Sequence, residues 1–181
     1  MFIESTEFPF LAPLAHDWQS VRDELLALRS SYFMQWPERD IYQGNWSVFG
    51  LYNFGNRIDE HCALCPRTAK LVGDIPGLVT AGFSSLSPGT VIAPHVGYTN
   101  QVLRSHLGLV TPEGCAIRVG RDTRSWSPGS CFVFDDTTEH EAWNRGDSTR
   151  VVLLLDFKRD LHSNVHFPDR VLAYKPVSGK P

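Results

Sequence analysis

The sequence predicts a mainly β fold, a β-sandwich or jelly roll with a few flanking helices. Three observations predict it. Runs of five to ten residues, many rich in branched and aromatic side chains, recur through residues 46–157. Gly- and Pro-containing turn signals separate them, and several of the runs alternate polar with apolar residues. Many short strands at such spacing close into a sandwich or barrel. With 181 residues the chain can build one domain with a full core.

The elements follow in order. A helix is expected near residues 17–31: Asp17 or Ser20 can cap it, and Ser20 with Asp23 fits a capping box. Val21, Leu25 and Leu28 then recur at helical spacing. A shorter helical piece is expected over Arg67–Val72, before the glycines at 73 and 77. Strands are expected at 46–54, 78–86, 89–95, 101–110, 115–120, 130–135, 139–144 and 149–157. Ser-Pro-Gly at 87–89 and 127–129, Pro-Glu-Gly at 112–114 and Arg-Gly-Asp at 145–147 punctuate them. The expected organisation is a single domain: an N-terminal helical extension (1–45), a jelly-roll core (46–157) and a C-terminal tail (158–181).

Two strands carry unusual faces. In 101–110, period 2 puts Val102, Arg104, His106, Gly108 and Val110 on one side and Leu103, Ser105, Leu107 and Leu109 on the other. The leucine side calls for a covering layer; the other points to water or to a polar interior. In 149–157 the same alternation groups Arg150, Val152, Leu154 and Asp156. An arginine in that apolar run suggests a lumen that holds an anion.

Composition narrows the partners. Net charge is −3, so no basic face is implied and nucleic acid is not expected. The N-terminus lacks the basic start and unbroken apolar run of a signal peptide. No apolar stretch nears the roughly 20 residues of a membrane helix. A soluble cytoplasmic protein without membrane contact is expected. Cys62 and Cys65 form a CxxC with no second pair for a zinc site; they read as free thiols in a surface turn. His162 and His166 read as surface residues or part of a lid.

His95 and His140 stand 45 residues apart near predicted strand ends. Iron sites in jelly rolls often take two histidines and a carboxylate, the first pair written HxD or HxE. Here the slot reads His95-Val96-Gly97, and the acid is missing.

The runs FSSLSPGTVIAPHVGYTNQVLRSHLGLVTPEGCAIRVG, WSPGSCFVFDDTTEHEAWN and STRVVLLLDF resemble the aspartyl/asparaginyl β-hydroxylase family. The likeness spans roughly residues 83–157. It implies a double-stranded β-helix (jelly roll, cupin-like) and an iron(II)- and 2-oxoglutarate-dependent dioxygenase. It also implies a reason for Gly97: the family's members hold iron with two histidines, here His95 and His140. By the same resemblance Arg150, Ser84 and His106 contact 2-oxoglutarate, and Arg104 meets the substrate's carboxylate or amide. Asp135, Asp136 and Glu139 could orient His140 or a water. Other members pair the equivalent of Cys62 with a cysteine where this chain has Ala69, so that disulfide is not expected here.

The expected reaction is hydroxylation by O2 of an unactivated C–H. The expected site is the β-carbon of an aspartyl or asparaginyl residue or of a free or carrier-bound amino acid, in a small-molecule or peptide substrate. Two rivals stand beside it: a hydroxylase of lipid acyl chains, and a non-catalytic jelly roll that binds a dicarboxylate.

Overall fold

The alternating segments form two antiparallel sheets packed face to face. The computed structural model describes residues 1–172. Its strands are β1 (Phe2–Ile3), β2 (Met34–Gln35), β3 (Tyr42–Gln43), β4 (Trp46–Asn53), β5 (Asn56–Arg57), β6 (Leu78–Leu86), β7 (Val91–His95), β8 (Val102–Val110), β9 (Cys115–Val119), β10 (Asp122–Arg124), β11 (Cys131–Phe134), β12 (His140–Asn144) and β13 (Arg150–Lys158). The α-helices are α1 (Ala12–His16), α2 (Trp18–Ala27), α3 (Asp59–Leu64), α4 (Pro66–Gly73) and α5 (Asp169–Leu172). The larger sheet runs β1-β11-β8-β13-β6-β4-β2, with β5 on β4; the smaller runs β10-β9-β12-β7-β3. This is the jelly roll the sequence predicts. Residues 173–181 of the expected tail lie outside the described residues.

Strand alternation divides the core into two layers. Leu103, Leu107 and Leu109 of β8 and Leu153, Leu155 and Phe157 of β13 pack under the helices with Leu14, Val21, Leu25 and Val72. The opposite faces put Leu86, Phe132, Phe134 and Val152 against Ile92, Ile117 and Val119 of the smaller sheet. Each such side chain contributes about 1.5–3 kcal/mol relative to exposure. On that inward face of the larger sheet, Ser84, Arg104, His106, Arg150 and Asp156 are among the polar residues.

Several expectations are corrected. β7 begins at Val91 rather than 89, because Gly89 takes a left-handed φ of 75° in the turn before it. Val110 packs with the helix-side cluster instead of the Arg104 face, because β8–β13 pairing slips between Val151 and Val152. The Ser20–Asp23 capping box does not form: α2 starts at Trp18, and Ser20 Oγ donates to Asp17 Oδ1 at 2.8 Å. Cys62 and Cys65 are free thiols, as read, but fully buried rather than at the surface. Cys62 lies on α3 and Cys65 just before α4, where both join the core under the helices. His162 and His166 are exposed. Among the described residues no helix is long and apolar enough to cross a membrane.

Leu107 has no exposed surface. Leu107→Ala is expected to lower unfolding free energy by about 2–5 kcal/mol, read by denaturant titration.

Candidate active site

β7 and β12 are neighbours, and their register sets His95 opposite His140. The ring centroids lie 4.2 Å apart, with 50° between planes. In each ring Nδ1 faces a carbonyl two residues upstream: Ala93 O at 2.8 Å for His95, Thr138 O at 3.0 Å for His140. A carbonyl accepts and cannot donate, so each neutral ring carries its proton on Nδ1 and keeps the Nε2 lone pair. Burial lowers the pKa of His95. Burial, with His95 and Arg104 nearby, brings His140 down to about 3. Two neutral imidazoles side by side, each with the same nitrogen free, could together hold a metal ion. Among the described residues no group of three or more His, Cys, Asp or Glu is placed to hold a metal.

Gly97 has a steric reason. A Cβ built there would lie 2.4 Å from Cγ, Oδ1 and Oδ2 of Asp136. The Gly97 N–H also donates to the Asp136 carbonyl at 2.7 Å. The carboxyl that an HxD motif would supply from position 97 is thus excluded by one arriving from the loop before β12. Asp136 is buried, and its Oδ1 has no partner. Burial raises its pKa to about 6, against the pull of Arg104. The other two acids considered from the sequence turn elsewhere. Asp135 accepts from Thr137 Oγ1 at 2.6 Å and pairs with Arg159. Glu139 pairs with Arg118 at 3.1 Å.

Beside the histidines lies a chamber of about 30 Å³, lined among others by Ser84, His106, Phe134, Arg150 and Leu154. Arg150 is 2% exposed, and no carboxylate pairs with it among the described residues. Its Nη1 donates to Ser84 O at 3.1 Å, and its Nε has no partner. Burial pulls the guanidinium down to about 9, still protonated at neutral pH. A buried cation without a counter-charge is costly unless an anion joins it. His106 Nε2 is likewise buried without a partner. Trp46 Nε1 donates to Ser84 Oγ at 3.0 Å, which leaves that hydroxyl's proton free. The unpaired guanidinium and imidazole nitrogens fit a carboxylate; the room for one comes from the adjoining groove, which shares Ser84, Leu154, His95 and Arg104 with the chamber.

Asp156, which shares the inward face of β13 with Arg150, engages Arg104. Arg104 Nε and Nη2 reach its two carboxylate oxygens at 2.8 and 3.0 Å, and Nη2 lies 3.3 Å from Asp136 Oδ2. Burial works against the charge on Arg104, but Asp156 and then Asp136 outweigh it and raise its pKa. The structure thus brings Ser84, His95, Arg104, His106, His140 and Arg150 to one place. The sequence reading missed Asp156 as the partner of Arg104 and missed two tryptophans, Trp46 and Trp126. A lone Trp in a turn or at a strand start carries no periodic signal.

The adjoining groove has a volume of about 480 Å³. Trp36, Trp46, Val48, Ile58 and Phe167 supply apolar wall; His95, Arg104 and Asp136 also line it. Its floor follows β4 from Trp46 to Asn53, roughly 20 Å of strand. Gly50 and Gly82 lie in that floor; a Cβ on Gly82 would sit 2.7 Å from the Phe49 carbonyl.

Comparison with known proteins bears on this site. The family described as aspartyl/asparaginyl beta-hydroxylase matches residues 15–160. An ornithine lipid ester-linked acyl 2-hydroxylase of Rhizobium tropici is 39% identical, over 91% of this chain and 62% of that protein. The human aspartyl/asparaginyl beta-hydroxylase is 38% identical, over 79% of this chain and 20% of that one. The chain therefore spans less than two thirds of either relative. A 2OG-Fe(II) oxygenase family oxidoreductase of Burkholderia pseudomallei shares the fold with a TM-score of 0.58, at 13% identity over 84% of this chain and 83% of that one. A prolyl-4-hydroxylase of Pseudomonas putida does so at 0.53, with 16% identity over 83% of this chain and 99% of that one.

Asp156→Asn removes the charge of a buried carboxylate that bonds a half-buried arginine at two points. It is expected to cost about 3–5 kcal/mol of stability, read by chemical denaturation.

Proposed function

The chain belongs to the aspartyl/asparaginyl β-hydroxylase family, and on that premise we propose that it is an iron(II)- and 2-oxoglutarate-dependent dioxygenase hydroxylating an unactivated C–H bond. One observation carries this reading: two neutral histidines in register, both with Nε2 free, beside a buried arginine that lacks a counter-anion. His95 and His140 would hold the iron. Arg150 and Ser84 would fix the far carboxylate of 2-oxoglutarate, and His106 would add a donor. Iron, cosubstrate and O2 together supply the oxidising power for C–H hydroxylation, with succinate and CO2 as by-products.

The chain's own residues do the rest. Arg150 suits a carboxylate because its planar fork gives paired, charge-assisted hydrogen bonds. Apolar walls exclude water from the reacting carbon. Asp136 sets an unpaired carboxylate oxygen in the space a side chain at position 97 would fill. There it serves as an acceptor beside the pair rather than as a third ligand.

The groove bears on the substrate. Arg104 was expected to receive a substrate carboxylate, yet it already pairs with Asp156 and approaches Asp136. A third carboxylate there would meet the two already present. The groove's chemistry, apolar over a long floor, favours an acyl chain over the β-carbon of an aspartyl or asparaginyl unit. The Rhizobium relative is named for such a substrate.

Incubation with iron(II), 2-oxoglutarate, O2 and either acyl lipids or Asp- and Asn-containing peptides is expected to hydroxylate the lipid, read by mass spectrometry. Peptide hydroxylation alone would reverse the substrate reading. No succinate with any substrate would leave a non-catalytic dicarboxylate binder. His95→Ala and His140→Ala are each expected to abolish most turnover. Arg150→Lys is expected to raise the KM for 2-oxoglutarate roughly 10- to 100-fold, the loss of a charge-assisted hydrogen bond.

A further inference from the structure

Trp126 stands where the chamber's polarity is decided. The turn at 127–130 docks on β8 at Gly108: a Cβ there would lie 2.3 Å from Ser127 O, and Gly129 N–H donates to Gly108 O at 2.9 Å. This carries the indole, 5% exposed, to His106, two residues along the same strand face. Trp126 Nε1–H donates to His106 Nδ1 at 3.3 Å. Its ring also covers Arg150, with Cζ 4.6 Å from the ring centroid.

An indole N–H has no lone pair and can only donate. The imidazole nitrogen that faces it must therefore accept. Burial, and then Arg150 and Arg104, hold His106 neutral by lowering its pKa well below the ordinary histidine value. Its one proton then sits on Nε2, the buried atom without a partner. Arg150 Nε, also fully buried without a partner and lining the same chamber, is likewise an N–H donor. With the opposite tautomer, Nε2 would present a lone pair to an anion and repel it.

We propose that Trp126 is a positioning residue for the dicarboxylate cosubstrate: it locks His106 with its proton on Nε2, so that His106 and Arg150 both donate into the chamber. This rests on the cosubstrate reading above, and the test separates the two. Long-range proton–nitrogen NMR correlations on the ¹⁵N-labelled, metal-free protein report the His106 tautomer with no cosubstrate present. The expected parent state is the Nε2–H form. Trp126→Phe keeps a ring over Arg150 and removes the N–H; it is expected to yield a tautomer mixture.

Calorimetric titration of the anaerobic iron(II) protein with 2-oxoglutarate should then show a Kd about tenfold higher in the variant, about 1.4 kcal/mol. The KM for 2-oxoglutarate should rise in step while kcat at saturation holds. An Nδ1–H parent would overturn the lock and leave the cosubstrate reading standing; so would unchanged affinity in Trp126→Phe. A parent with the Nε2–H form that does not bind 2-oxoglutarate would overturn the cosubstrate reading, and with it this role. The tautomer measurement uses the parent protein, so it decides even where the variant fails to fold.

Discussion

The site depends on one cross-strand register. β12 is hydrogen-bonded on both sides, to β7 and to β9, and the pairing with β7 sets His140 opposite His95. In a sheet, a slip of one residue turns every side chain to the other face. The apolar partners Ile92, Ile117 and Ala142 in the same strands bury against the larger sheet, and a one-residue shift in the β7–β12 pairing between Ala142 and His140 then brings the two histidines opposite each other. The 44 residues of intervening chain thus matter less than two rows of side chains. The donors are held by the core's own packing and not by a dedicated loop.

The second organising principle is unequal treatment of buried charge. Arg104 and Arg150 project from adjacent strands of one sheet into the same interior. Arg104 is met twice by carboxylates from its own chain; Arg150 is met by a carbonyl and an indole face. A charge-paired ion cluster is a fixed wall. An unsatisfied cation, insulated by tryptophan and phenylalanine, holds binding capacity in reserve. Similar residue types therefore take opposite roles a few ångströms apart.

Much of this was legible in the sequence because it was periodic. The eight long strands, the faces of β8 and β13 and the short helix at α4 follow from alternation and turn signals. The two-residue strands β1, β2, β3 and β5 were not legible, since two residues have no period; long-range pairs such as Phe2 with Phe134 create them. The helix at α1 hid behind Pro13, which the first turn of a helix tolerates. Cys62 and Cys65 were misplaced because a CxxC says nothing about burial. The family likeness named the polar residues that gather in the lumen. It left open which of three acids faces the histidines, because side-chain direction in a turn depends on partners such as Thr137 and Arg159.

Asp136 and Gly97 share one parcel of space, and that couples the two positions. An acid at 97 is blocked while 136 keeps its carboxyl, and loss of the carboxyl at 136 opens a hole beside the histidines that glycine cannot fill. A side chain at 97 and the carboxyl at 136 therefore cannot both be housed, and the bare glycine is the counterpart of a carboxylate delivered from a different segment of the chain.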